Sequence, residues 1–163
     1  ASSGLAELGM SSSARMGFLT SVASLGVPLG TFIYSRVGHN RVARLLLVEF
    51  SLLAVGFMTM ARAGHVPGFL VGCFINQLGA GMLLPTLLVW AMSILPFDVR
   101  SRGTGFWQSA FALGQWLSPL VVTFFRLRRG TLMGSFEVLS YLACFGVLVA
   151  IGAGRFMKDP VRV

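Results

Sequence analysis

Five long apolar stretches, separated by short polar breaks, constrain this chain more than any other feature. A helix needs roughly 20 mostly apolar residues to cross about 30 Å of hydrocarbon at about 1.5 Å rise per residue. The stretches run over 14–34, 42–60, 67–95, 103–125 and 133–156. Transmembrane strands would need ten-residue alternating segments, and none occurs. Backbone left unpaired in lipid is costly, so helices remain. The sequence therefore predicts an all-α, polytopic transmembrane helical bundle of about five spans. The breaks are short, as at Gly64-His65-Val66-Pro67-Gly68 and Arg128-Arg129-Gly130-Thr131, which favours antiparallel neighbours.

Charge agrees with that reading. Of 163 residues, 55% are hydrophobic and 11% charged, against about 25% charged in soluble domains. The net charge of +8 comes from basic residues placed between apolar runs. That placement suits anionic lipid headgroups and excludes a nucleic-acid groove as partner. Eight basic residues fall on one side: Arg36, Arg41, Arg44, Arg100, Arg102, Arg155, Lys158 and Arg162. Five fall on the other: Arg15, Arg62, Arg126, Arg128 and Arg129. The positive-inside rule then makes the richer side, with the C-terminus, cytoplasmic, and predicts a multi-pass protein of the inner (plasma) membrane. Residues 1–13 lack a basic segment followed by an apolar core, so no signal peptide is expected there. No initiator Met heads the chain, which reads as a fragment of something longer.

Polar side chains within the spans point to function, because they are costly in hydrocarbon and usually face a bundle interior or a wet cavity. Asn76, Gly79, Leu83, Thr86, Trp90 and Ser93 recur at helical spacing on the third span. Thr104, Gln108, Phe111, Gln115 and Ser118 do so on the fourth. The amides Asn76, Gln77, Gln108 and Gln115 suit hydrogen bonding to a polar organic solute, with Trp90 and Phe111 as apolar walls. The competing reading is that they only glue helices together. Gly17, Ser21, Ser24, Pro28, Thr31 and Ser35 form a small-residue stripe on the first span, read as a packing face. Trp90, Trp107 and Trp116 suit either the solute site or the membrane interface.

Carboxylates are scarce. Glu49 lies about 10 Å inside the second span by helix rise and is expected to pair with Arg41 or Arg44. Its expected role is conformational. Glu137 sits near the Arg126–Arg129 cluster. Cys73 and Cys144 lie in apolar runs and are read as small buried hydrophobes, with neither a disulfide nor a metal site. Neither histidine is in a span, so a serine-type intramembrane protease lacks its base. No embedded Asp pair, metal-ligand cluster or phosphate loop occurs, so no enzyme, cofactor or metal is expected.

The segment Leu84–Val122 resembles the tenth and eleventh spans of bacterial major facilitator superfamily (MFS) transporters. Leu84-Pro85-Thr86, Pro96, Arg100-Ser101-Arg102-Gly103-Thr104-Gly105 and Ala112-Leu113-Gly114-Gln115-Trp116-Leu117-Ser118-Pro119 carry the likeness. The rest fits spans eight, nine and twelve, so residues 1–163 would be a partial C-terminal half. Arg36 and Gly38 match the family's loop signature, while Ser35 replaces its acid and Thr31 its first Gly. The resemblance implies two six-helix halves and alternating access. It places the first, third and fourth spans here beside the cavity and the second and fifth toward lipid. It also implies Arg36, Gly38, Arg100 and Arg102 as conformational or interfacial residues. The expected function is secondary transport of a small polar or amphipathic solute, with the missing N-terminal half and the lipid bilayer as partners. The rival is a non-transporting assembly or scaffold subunit.

Overall fold

The computed structural model describes residues 2–38 and 41–154. His39, Asn40 and the charged tail from Arg155 to Arg162 lie outside the described residues. Those described form helices joined by short turns, with no strand among them. The elements are α1 (Ser2–Glu7), α2 (Ser13–Ser24), α3 (Gly26–Val37), α4 (Val42–Ala61), α5 (Val66–Ile94), α6 (Arg100–Arg129) and α7 (Leu132–Ala153), with a 3-10 turn at Phe97–Val99 before α6. Five helical stretches are long and apolar enough to cross a membrane: Ser13–Val37, Val42–Ala61, Val66–Ile94, Phe97–Arg129 and Leu132–Gly152.

The helix starts follow from local chemistry. His65 Nδ1 accepts the Gly68 N–H at 2.9 Å, and Pro67 in the first turn needs no donor partner. Thr131 Oγ1 accepts the Gly134 N–H at 3.1 Å at the head of α7. Gly130 sits at φ 76 just after α6, a left-handed cap that glycine adopts without penalty. The first span is interrupted rather than continuous. Pro28 has no N–H to return to the Ser24 carbonyl, and α2 ends at that residue.

α4 lies between α5 and α7 and makes the most extensive contacts with both. α5 also receives α3 along its other side, and α6 packs mainly on α7. Glycines bring the backbones together. A methyl at Gly56 would sit 2.7 Å from the Asn76 nitrogen, and one at Gly72 2.8 Å from the Met60 nitrogen. A methyl at Gly26 would sit 2.7 Å from the Phe74 carbonyl oxygen. At Gly30 it would overlap the Leu78 carbonyl, and at Gly81 the Val27 carbonyl. The α3–α5 seam thus runs through a Gly26-x-x-x-Gly30 pair meeting Gly81, the small-residue packing that membranes favour.

That seam corrects the expected packing stripe. Gly17, Ser21, Ser24, Pro28 and Ser35 are exposed, and the Ser hydroxyls turn back to their own helix. Only Thr31 reaches across, donating to the Gly81 carbonyl at 3.0 Å. Pro85 lies four residues after Gly81 and has no N–H for that carbonyl, so Thr31 supplies the donor the helix lacks.

The expectation that the second span simply faces lipid also changes. α4 buries Val42, Leu45, Leu46, Glu49, Ala54, Gly56 and Met60, while Val48 and Val55 face outward. Ser140 of α7 donates to the Ala54 carbonyl at 2.9 Å within this packing. Cys73 is buried as expected, but Cys144 is exposed on the outer side of α7.

The close α3–α5 approach yields a direct test. Gly81→Val should lower thermal stability in detergent by about 1–3 kcal/mol through overpacking. Gly105→Ala should leave it unchanged or raise it, since nothing lies within 4 Å of a methyl there. Equal melting of the two variants would show that the seam does not hold the bundle.

Candidate functional site

A cavity of about 300 Å³ lies among the spans. All five contribute to its wall: Thr20, Ala23 and Ser24 from α2, Phe57 and Met60 from α4, Cys73, Asn76 and Gln77 from α5, Ser118 and Val122 from α6, and Phe136 and Leu139 from α7. One side is therefore polar, built from two hydroxyls of α2, the adjacent amides of α5 and Ser118. The other is apolar and aromatic. An apolar pocket with a few convergent polar groups is the usual form of a small-molecule site.

The floor is an ordered core. Phe136 lies 6.3 Å from Phe57 and 5.8 Å from Phe69 between ring centroids. Leu5, Ala23, Met60, Phe69, Cys73 and Leu132 complete it. The Ser24 carbonyl, left without a helical donor by Pro28, belongs to a residue of the cavity wall. The Asn76 Nδ2 atom is covered and has no hydrogen-bond partner among the described residues. An unpaired amide donor is costly unless something accepts from it.

The structure sorts the residues expected from sequence. Asn76 and Gln77 line the cavity. Gln108 and Gln115 are exposed on α6 outside it, and half-buried Phe111 does not reach it. α6 buries no side chain at all. Its contacts with α5 are few, and the specific ones fall at its start, where Thr104 donates to the Met92 Sδ at 3.3 Å. Further along, it is held by α7, where Ser135 donates to the Val122 carbonyl at 3.3 Å. Pro119 leaves the Gln115 carbonyl without a helical donor as well. Trp90 packs elsewhere, against Val42, Leu46 and Ala150, with its Nε1 covered and unpartnered among the described residues. Sequence reading missed Thr20, Phe136 and Ser118's place in the wall. Ser118 stood at the end of the α6 stripe, but nothing in the sequence says which of its residues turn inward.

Glu49 differs from expectation. It is fully buried, and the Thr86 hydroxyl lies 2.5 Å from its Oε1. Neither Arg41 nor Arg44 pairs with it, because the carboxyl points from α4 into α5 while Arg41 and Arg44 are exposed. Its Oε2 has no partner among the described residues. Arg36 is exposed at the end of α3, with its guanidinium 5.2 Å from the Phe32 ring centroid. The Gly38 N–H closes α3 on the Tyr34 carbonyl at 2.6 Å. Arg100 Nε donates to the Leu95 carbonyl at 3.2 Å and lies 5.7 Å from the Phe97 centroid. Arg102 is exposed. At the opposite end, Glu7 accepts the Leu132 N–H with both oxygens, at 3.2 and 3.1 Å, and pairs with Arg126 at 3.3 Å. That carboxylate complements the positive N-terminus of α7 and ties α1 to the α6–α7 turn.

Prolines interrupt or lie within three of the spans around this open-sided, partly polar cavity. The family model of the Major Facilitator Superfamily matches residues 2–119. The chain belongs to the Major Facilitator Superfamily. Among curated MFS relatives, it is 25% identical over 141 residues to the uncharacterized MFS-type transporter YhcA of Bacillus subtilis (strain 168), covering 84% of this chain and 25% of that protein. It is 26% identical over 145 residues to the probable nitrate transporter NarT of Staphylococcus haemolyticus (strain JCSC1435), covering 88% of this chain and 36% of that protein. The chain thus spans between a quarter and about a third of the length of these relatives. They are named as transporters and not as enzymes, and this MFS chain is a multi-pass membrane protein.

The buried Glu49–Thr86 contact gives a second test. Glu49→Gln keeps a hydrogen-bonding group of nearly the same shape, so stability should change by no more than about 0.6 kcal/mol. Glu49→Ala should cost about 2 kcal/mol or more, from the lost bond together with the void. Thermal unfolding in detergent reads both. A reversed order would show that the carboxyl does not hold α4 to α5.

Proposed function

We propose that this chain is the C-terminal portion of a secondary active transporter that moves a small polar or amphipathic solute by alternating access. The observation that carries the reading is the cavity walled by all five spans, with the unpaired Asn76 amide donor on its polar side. Asn76 and Gln77 hydrogen-bond the solute, assisted by Thr20, Ser24 and Ser118, while Phe57 and Phe136 pack its apolar part. Gln108, Phe111 and Gln115 lie on the exposed α6. In this reading they meet the solute from the face that the remaining half of the protein covers.

The lining favours an uncharged solute. It contains neither Arg nor Lys, and neither Asp nor Glu. One relative is named a probable nitrate transporter, but an anion would leave its charge unpaired among these side chains, which is costly away from water. Amides and hydroxyls can instead match the donors and acceptors of a neutral solute. Alternating access requires a second half to rock against this one. The length of the relatives, and the thirty residues of α6 with no buried side chain, support a missing portion as the partner.

Sidedness follows from charge. The end carrying Arg36, Arg41, Arg44, Arg100 and Arg102 faces the cytoplasm in this reading, and the Arg126–Arg129 end faces outward. With Cys73 and Cys144 replaced, a cysteine at Ser101 should be labelled from the cytoplasmic side of inner-membrane vesicles, and one at Gly130 from the other. Labelling of both from one side would break the topology.

The solute site is tested in the intact permease. Asn76→Ala should raise the apparent KM about fivefold, the equivalent of one net hydrogen bond near 1 kcal/mol, with normal amounts in the membrane. Unchanged transport by both Asn76→Ala and Gln77→Ala would remove the binding role. Loss of the protein from the membrane in both would reassign these amides to helix packing.

A further inference from the structure

A second cavity, of about 480 Å³, lies between α3, α4 and α5. Its wall includes Ile33 and Val37 of α3, Val48 and Leu52 of α4, and Met82 of α5. Arg44 is the single polar side chain in the lining. The solute cavity meets α4 much further along, at Phe57 and Met60, so the two are separate.

The chemistry of this groove is divided along its length. Arg44 stands in the first turn of α4, at the basic end of the bundle. Leu52 lies eight residues deeper, about 12 Å along the helix axis. A cation therefore marks the mouth, and an apolar trough leads from it into the hydrocarbon. Val48 on its wall is half exposed, so the trough opens sideways to the bilayer. Arg44 is exposed and has no ion-pair partner among the described residues. Arg36 and Arg41 stand at the same end. The acid of α4 is turned away, since Glu49 points at Thr86 of α5.

We infer that this groove binds an anionic phospholipid, with its phosphate at Arg44 and one acyl chain laid along Val48 and Leu52. A polar solute would leave its hydrogen bonds unmet in a trough of Leu, Ile, Val and Met. A zwitterionic lipid would bring its own cation up to Arg36 and Arg44. An anionic headgroup meets those charges, at about 1 kcal/mol for each basic residue near the surface.

The test uses the intact permease in detergent, titrated with phosphatidylglycerol or phosphatidylcholine of identical acyl chains and read by native mass spectrometry. Phosphatidylglycerol should be retained at least about fivefold more tightly, and Arg44→Gln should reduce that preference about fivefold. Arg129→Gln, at the other end of the bundle, should not alter it. Val48→Trp fills the trough and should remove the retained lipid of either kind while the protein stays folded. Equal retention of the two lipids by the wild type would overturn the inference. So would an unchanged preference in Arg44→Gln, displacement by inorganic phosphate, or a Val48→Trp protein that holds lipid as before. Should Val48→Trp not fold, Val48→Phe is read in its place against the same two outcomes.

Discussion

In hydrocarbon, no water waits to pair with a carbonyl that the helix has released, and much of this bundle follows from that shortage. Pro85 releases the Gly81 carbonyl in the middle of α5. Thr31 of α3 donates to it at 3.0 Å. The hydroxyl can reach only because Gly26, Gly30 and Gly81 let the two backbones close to contact. The proline and the three glycines thus form one device: the first opens a polar gap, and the others admit its filler. Once α3 is seated on α5, α2 is carried over the cavity, which brings Thr20 and Ser24 opposite Asn76 and Gln77.

The same economy governs α4, whose sequence reads as apolar nearly all round. Its bonds to neighbouring helices face inward, while the Ser51 and Thr59 hydroxyls donate to carbonyls of α4 itself. Glu49 meets Thr86 on one side, and the Ala54 carbonyl takes the Ser140 hydroxyl on the other. Each bond joins two helices while hiding polarity from lipid. α4 therefore serves as the pillar between α5 and α7, although its composition alone suggests a lipid-facing helix.

What could be read from the sequence divides along physical lines. The number of spans, their helical nature and the family were legible, because length, hydropathy and motif are local or additive. That Asn76 and Gln77 turn inward was legible because an amide inside a long apolar run has few inexpensive places to go. Azimuth was not. The small-residue stripe of the first span and the Gly26–Gly30 pair lie on different faces of nearly the same helix, and only packing against α5 selects between them. The partner of Glu49 was hidden for a related reason. Arg41 and Arg44 are near in sequence, but a carboxyl at that azimuth meets Thr86, thirty-seven residues away. Gln108 and Gln115 look like Asn76 in sequence, yet their helix stands apart, and periodicity carries no information about that. The role of Glu7 at the head of α7 had no local signal at all.

α6 buries none of its thirty residues in this bundle. Its attachment rests on a left-handed glycine, one hydroxyl from α7, an ion pair from α1 and a turn shared with α5. Core positions resist change because each substitution disturbs neighbours on several helices. A strut held mainly at its ends is under no such constraint. Substitutions along its exposed face therefore leave undisturbed the α4 pillar, which it does not touch.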